Sequence, residues 1–312
     1  MTSSNGLNDP TVARRVLIVD ELDSTPIDTW NVLLVEDFLC PISHELPVDP
    51  VIAEDGESYE REDIETLIRV HGDNLRSPMT NLPMGKKLTS ATHERNCIQN
   101  MVERGNFTGE HVESYKKRKV VMEKVVMETN KKAEGGDYDA MASLRDWYKE
   151  GKNGLHKNVQ LADKWYGRML KKRAGDGDVP SMLELAYAYY HGRNSLEASS
   201  EEAYKWFKKA ADLMDVTGMA EAGDSLARGD GVKANRAYGM ALLAAAAGLG
   251  SAIACTYLAS MYCDGEVGLP KDLQHAKFWY KKAIDGSCHT NDMNKSDIEN
   301  VEKKIKEIED AE

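Results

Sequence analysis

Cysteine is scarce in this chain. Five thiols, Cys40, Cys97, Cys255, Cys263 and Cys288, are spread over 312 residues, an odd number with no close pair. That spacing excludes the disulfide framework of a small secreted domain. A closed tetrahedral zinc site needs four Cys or His ligands, usually from paired C-x2-C groups. The stretch around Cys40 offers only Cys40, His44, His71, His93 and Cys97, with no such pair, so no metal centre and no cofactor are expected.

Long apolar runs are also missing. Val16–Val19 is shorter than a signal-peptide core and is followed at once by Asp20, Glu21 and Asp23. The longest membrane candidate, Met240 to Gly250, falls short of the ~20 apolar residues that span a bilayer. No membrane span is expected, and a reducing interior, cytoplasm or nucleus, follows. Basic charge is in deficit, 40 Lys and Arg against 52 Asp and Glu, for a net −12 that repels nucleic acid at long range. The local run Lys116-Lys117-Arg118-Lys119 reads as a solvated helix face rather than a nucleic-acid site.

With 41% apolar and 29% charged residues the composition is that of a packed globular protein, and 312 residues allow about two domains. Residues 1–35 read as a flexible N-terminal arm with one short β-favouring run at Val16–Val19. Residues 36–105 are compact and turn-rich, holding Pro41, Pro47, Pro50, Pro78 and Pro83. Residues 106–136 are Lys-, Glu-, Val- and Met-rich, without proline, and predict a helix over Glu110 to Ala133 connecting the two halves.

Residues 137–286 repeat themselves. "AMASLRDWYKEG" from Ala140, "SMLELAYAYYHG" from Ser181, "GMAEAGDSLARG" from Gly218 and "ACTYLASMYCDG" from Ala254 each end in glycine, with starts 41, 37 and 36 residues apart. A second element follows each, beginning at Ala162, Ala203, Ala237 and Ala276, with aromatic pairs Trp165-Tyr166, Trp206-Phe207 and Trp279-Tyr280. Small residues let helices approach, aromatics fill the groove between hairpins, and the glycine closes the first helix in the left-handed conformation. Four such hairpins stack into a short superhelix, because one alone cannot bury its apolar face. The pattern resembles the Sel-1-like repeat, a relative of the tetratricopeptide repeat. In the third unit Ala222 replaces the usual Leu and Met240-Ala241 replace the aromatic pair, so a shallower groove is expected there. Residues 287–312 include "KSDIENVEKKIKEIEDAE", with Ser296 placed to cap and Ile298, Val301, Ile305 and Ile308 on one face, a terminal helix that closes the superhelix or a free tail.

Within residues 36–105, "PVIAEDGESY" alternates into two short strands about an Asp-Gly turn. "EREDIETLIRV" sets Ile64, Leu67 and Ile68 at helical spacing, and Ser90 or Thr92 starts a last helix through Met101-Val102. The order Phe38, Cys40-Pro41-Ile42, Asp49-Pro50-Val51, Gly56, Ser58-Tyr59, Arg61, Ile64, Pro78-Met79-Thr80 and Leu88 resembles the U-box, the metal-free relative of the RING finger. The resemblance implies two loops flanking a short antiparallel sheet and a central helix, so the whole chain is expected as an α+β U-box followed by an all-α superhelical solenoid. It also implies a RING-type ubiquitin ligase (E3) with no covalent intermediate, which docks a ubiquitin-conjugating enzyme (E2) charged with ubiquitin. The docking residues carried over are Ile42 on the first loop, Leu67 on the helix and Pro78 on the second loop, with Asn81 where many members have Arg. Leu67 stands where Trp is common, Glu57 replaces a frequent His, and Ser90-Ala91 replace a frequent Pro-Asn whose amide ties the loops together. Cys40 has no evident neighbouring base and reads as packing rather than a nucleophile. The repeats are expected to recruit a protein substrate or chaperone. The alternative is a non-catalytic scaffold with a weak or inactive U-box.

Overall fold

A computed structural model of the chain describes residues 35–284 and 293–310, arranged as two compact units that divide after Ala162. The expected strand at Val16–Val19 lies outside the described residues. Among those described, no helix is long and apolar enough to cross a membrane.

The first unit opens with a single 3-10 turn, Val35–Phe38, and a three-stranded antiparallel sheet, β1 (Pro50–Ile52), β2 (Ser58–Glu60) and β3 (Thr89–Ser90), in the order β2-β1-β3. The expected hairpin forms, with Val51 opposite Tyr59 on one side and Ser90 on the other. Its turn is tightened by Gly56 at φ 85° and by Asp55, whose carboxylate accepts the Tyr59 hydroxyl at 2.8 Å and the Glu57 amide at 3.1 Å. Helix α1 (Arg61–His71) follows β2 without a break, and its Ile64 is fully buried. Helix α2 (Thr92–Glu103) starts at the later of the two expected positions, with Ala91 at its N-cap contributing no side-chain bond.

Helix α3 (Glu110–Glu134) does more than connect. Its Val112 and Tyr115 are buried in one cluster with Phe38, Leu46, Val48, Ile98, Met101 and Phe107, so its first half belongs to a core shared with the first loop and α2. Phe38 and Phe107 meet there at 5.5 Å, tilted by 57°. Helix α4 (Tyr138–Glu150) packs beside α3 and ends at Gly151 in the left-handed conformation.

The second unit is all helix: after α5 (Val159–Gly175) come α6 (Val179–His191), α7 (Ser200–Asp212), α8 (Val216–Arg228), α9 (Arg236–Gly248), α10 (Ala252–Asp264), α11 (Leu273–Ile284) and α12 (Lys295–Glu309). It is a solenoid of hairpins built by one local rule. Asp137, Asp178, Asp215 and Ser251 cap α4, α6, α8 and α10 through their side chains, and Gly151, Gly192, Gly229 and Gly265 end those helices at φ between 64° and 81°. Asn158, Ser199, Asn235 and Asp272 cap the return helices in the same way.

Those caps correct the sequence alignment of the third unit. Ala162, Ala203 and Ala276 stand four places after their caps and are buried, whereas Ala237 stands two places after Asn235 and is exposed. Its true counterpart is Gly239, and the aromatic pair is replaced by Leu242-Leu243 rather than Met240-Ala241. A Cβ on Gly239 would lie 2.6 Å from the Gly223 carbonyl oxygen, so α8 and α9 touch backbone to backbone where the other hairpins interpose a methyl group. At the end of the chain Ser296 is not the cap. Asn294 and Asp297 form a reciprocal capping box, and Val301, Ile305 and Ile308 are buried against Ala276 and Tyr280, while Ile298 stays 39% exposed.

Candidate functional site

The sheet end of the first unit is held by a buried ionic frame. Asp49, 5% exposed, accepts Arg61 Nε at 2.9 Å, Arg95 Nη2 in a short bond, and the backbone N–H of Asn153 at 2.9 Å. Glu60 accepts the amides of Val48 (2.7 Å), Asp49 (3.1 Å) and Arg61 (3.1 Å) and, at 3.2 Å, Nη1 of Arg118 from α3. Burial raises the Glu60 carboxyl above its ordinary range against the pull of those amides and of Arg118. Arg118 also donates to the Leu46 carbonyl, tying α3 to the first loop. Opposite charges and multiple hydrogen bonds make such a buried set tolerable, although Arg95 Nε and Arg118 Nε are buried without a hydrogen-bond partner.

The first loop hangs from this frame. The Glu60 amide donates to Cys40 Sγ at 3.2 Å, the Cys40 thiol lies 3.3 Å from Asp63 Oδ2, and backbone bonds from Cys40 to Glu45 and from His44 to Cys40 close the loop that carries Ile42. Cys40 is 1% exposed, a buried packing residue that also holds the start of α1, although Asp63 does supply a neighbouring carboxylate. Among the described residues no group of three or more His, Cys, Asp or Glu side chains is arranged to hold a metal ion.

The second loop is folded around Ser77. Its hydroxyl accepts the amides of Met79 (3.1 Å) and Thr80 (3.0 Å), its backbone pairs with Leu82 and Asn81, and Asn81 sits at φ 57°. Arg76 Nη1 donates to the Asn81 carbonyl at 2.8 Å.

The predicted docking residues fall on this surface as follows. Ile42 and Leu67 are half-buried and pack with Met84 and Leu88 on one small core of Cys40, Val51, Ala53, Tyr59 and Ile64, so the first loop and α1 do meet. Pro78 and Asn81 are fully on the outside and belong to no buried cluster. In the second loop Met79 is 55% and Leu82 64% exposed, and on α1 Val70 is 72% exposed. A cleft of about 840 Å³ in the same unit is lined by Glu62, Arg69, Lys117, Trp147 and Lys152, with both signs of charge and no convergent catalytic set.

Sequence reasoning missed Arg76, Arg95, Arg118 and the turn after Gly151. Arg118 was hidden inside a basic run, though it recurs three and six places after Tyr115 and Val112 on the inward side of α3. Arg95 carried a weak signal, a charge between Ala91 and Ile98 on the buried side of α2. The turn had none, because it contributes backbone atoms.

Residues 35–107 match the family model for the U-box domain, and residues 179–213, 216–251 and 252–288 each match the Sel1 repeat. The chain therefore carries a U-box domain followed by Sel1 repeats. Over 66 residues it is 48% identical to the WD repeat, SAM and U-box domain-containing protein 1 of Danio rerio, a match covering 21% of this chain and 12% of that protein. A probable bifunctional E2/E3 enzyme of Acanthamoeba polyphaga mimivirus is 43% identical over 54 residues, 17% of this chain and 4% of its own. The chain thus spans about an eighth or less of the length of these curated relatives. Among solved structures, a Sel1 repeat protein from Oxalobacter formigenes is similar over 70% of this chain and 88% of its own at 21% identity and a TM-score of 0.39.

Proposed function

We propose that the chain is a ubiquitin-protein ligase of the RING type, in which the U-box docks an E2 charged with ubiquitin and the helical repeats bring a protein substrate or a chaperone. The observation that carries it is the pair of ordered loops, the first closed through Cys40 with Ile42 packed beside Leu67 on one small core, the second folded around Ser77 with Met79 and Leu82 exposed. The matching U-box model and the U-box relatives support the same class. The role is positional: docking raises the effective concentration of an acceptor lysine near an activated ester and holds a reactive conformer. The positive charge missing at Asn81 is supplied by Arg76, whose guanidinium lies at the Asn81 carbonyl and remains exposed. The free thiols Cys40, Cys97, Cys255 and Cys263 favour a reducing compartment, cytoplasm or nucleus.

Reconstitution with activating enzyme, a panel of conjugating enzymes and ubiquitin tests the proposal. Chain formation with at least one of them, lost in Ile42→Ala, is expected; no product with any would refute it. A second reading, a scaffold with a weak U-box, draws on Leu67, which is half-buried in the core and gives less area to a partner than a projecting Trp would. It predicts that no conjugating enzyme shifts the resonances of Ile42 or Pro78, so micromolar binding at those residues would remove it.

A further inference from the structure

We infer that the turn closing α4, residues 151–155, is a positioning element of the U-box, which sets through Asp49, Arg61 and Arg95 the loop that carries Ile42. This rests on the ligase reading for its consequence, but not for its geometry.

Four backbone groups at the end of α4 are taken by the U-box, the carbonyls of Glu150, Gly151 and Leu155 and the N–H of Asn153. Ser90 Oγ accepts Arg61 Nη2 at 2.8 Å and shares its one proton between the carbonyls of Glu150 (2.7 Å) and Gly151 (3.1 Å). Gly151 O also accepts Arg61 Nη2 at 3.4 Å and Arg95 Nη2 at 3.2 Å, and Leu155 O accepts Arg95 Nη1 at 3.0 Å. In return the Asn153 N–H donates to Asp49, and Lys152 pairs with Glu65 of α1 at 3.2 Å. Both buried arginines thus divide their donors between the Asp49 carboxylate and the turn. With the turn displaced, Arg95 Nη1 would lose the Leu155 carbonyl and Arg61 Nη2 would keep only Ser90 Oγ at 2.8 Å, and a buried donor deprived of its acceptor costs more than the bond itself.

The turn is not moulded by the U-box. Its left-handed residues, Gly151 at φ 72° and Asn153 at φ 53°, recur two apart in the other three hairpins, at Gly192 and Asn194, Gly229 and Gly231, and Gly265 and Val267. The acceptor geometry therefore belongs to the repeat and is formed in advance, and the U-box arginines are built to meet it. The path onward is continuous. The backbone of Asp49 bonds Glu60 and Arg61, the Glu60 amide holds Cys40, and Cys40 closes the Ile42 loop. Ser90, where the U-box pattern has a proline, is the residue that makes the exchange at β3.

Asn153→Pro removes the N–H given to Asp49 and forbids the positive φ, whereas Asn153→Gly keeps both. In the full-length chain with 13C-labelled isoleucine methyls, the Pro variant should move the Ile42 methyl resonance by more than a linewidth, and the Gly variant should leave it in place. Affinity for uncharged conjugating enzyme should fall about fivefold in the Pro variant, within the worth of one charge-assisted bond, with helix content unchanged. If Asn153→Pro does not fold, Ser90→Ala should shift the same methyl in the same direction by less. An unmoved Ile42 methyl in a folded variant overturns the inference. The shift is read without the conjugating enzyme, so a wild-type chain that binds none would refute the ligase reading alone.

Discussion

Asp49→Asn is the sharpest perturbation of the first unit. The carboxylate is buried and receives three donors, Arg61 Nε, Arg95 Nη2 and the Asn153 amide. A carboxamide of the same shape offers one accepting oxygen and introduces two N–H donors facing two guanidinium groups. Both arginines remain buried, at 8% and 5% exposure, with their charge no longer balanced. Removing one partner of a buried pair costs about 3–5 kcal/mol, and that range is the expected loss. The exposed pair Lys86–Asp73, at 2.6 Å, is the control: surrounded by water, it should change nothing measurable in Asp73→Asn. Urea unfolding, followed by a probe confined to the first unit such as Trp147 with the other tryptophans replaced by phenylalanine, reads both variants. Asp49→Leu combined with Arg61→Met and Arg95→Met should recover part of the loss, because the desolvation cost goes with the charges. An Asp49→Asn variant within 1 kcal/mol of wild type, or no different from Asp73→Asn, would refute the ionic frame as the support of the loops.

Three further outcomes are expected. Gly239→Leu places a Cβ 2.5 Å from the Ala227 nitrogen and should cost at least ~1–3 kcal/mol by overpacking, seen as an earlier melt of the repeat unit with the U-box transition unmoved. Burial pushes the Cys97 thiol from 9.0 up to about 11. The unfolded chain then ionises first as pH rises, so stability should fall between pH 9 and 11, and Cys97→Ala should flatten that slope in denaturant titrations; an unchanged slope would count against it. Arg76→Met should slow ubiquitin discharge about three- to tenfold, the worth of one hydrogen bond of ~0.5–1.5 kcal/mol, while leaving affinity for the uncharged conjugating enzyme near wild type.

What could be read from the sequence was local. The strand pair about Gly56, the central helix with Ile64 and the glycine-ended helices follow from residue chemistry within a dozen positions, and each stands where it was expected. The register of the third repeat failed because Ala237 imitates the packing alanine, and only the cap at Asn235 reveals that Gly239 does the work. The role of α3 was illegible for a related reason. Its mean composition is charged, and Val112, Tyr115 and Arg118 become inward-facing only when the first loop, α2 and Glu60 are there to receive them. The turn at residues 151–155 acts through carbonyls and an amide, which no side-chain pattern can announce.

The most direct measurement of the ligase account is single-turnover discharge of a preformed conjugating-enzyme ubiquitin thioester to free lysine, with and without the full-length chain. The account predicts acceleration by the wild-type chain, lost in Ile42→Ala and retained in Cys40→Ser, since Cys40 is buried and carries no ubiquitin. Discharge unaffected by the chain, or abolished in Cys40→Ser with the fold intact while Ile42→Ala stays active, would contradict it.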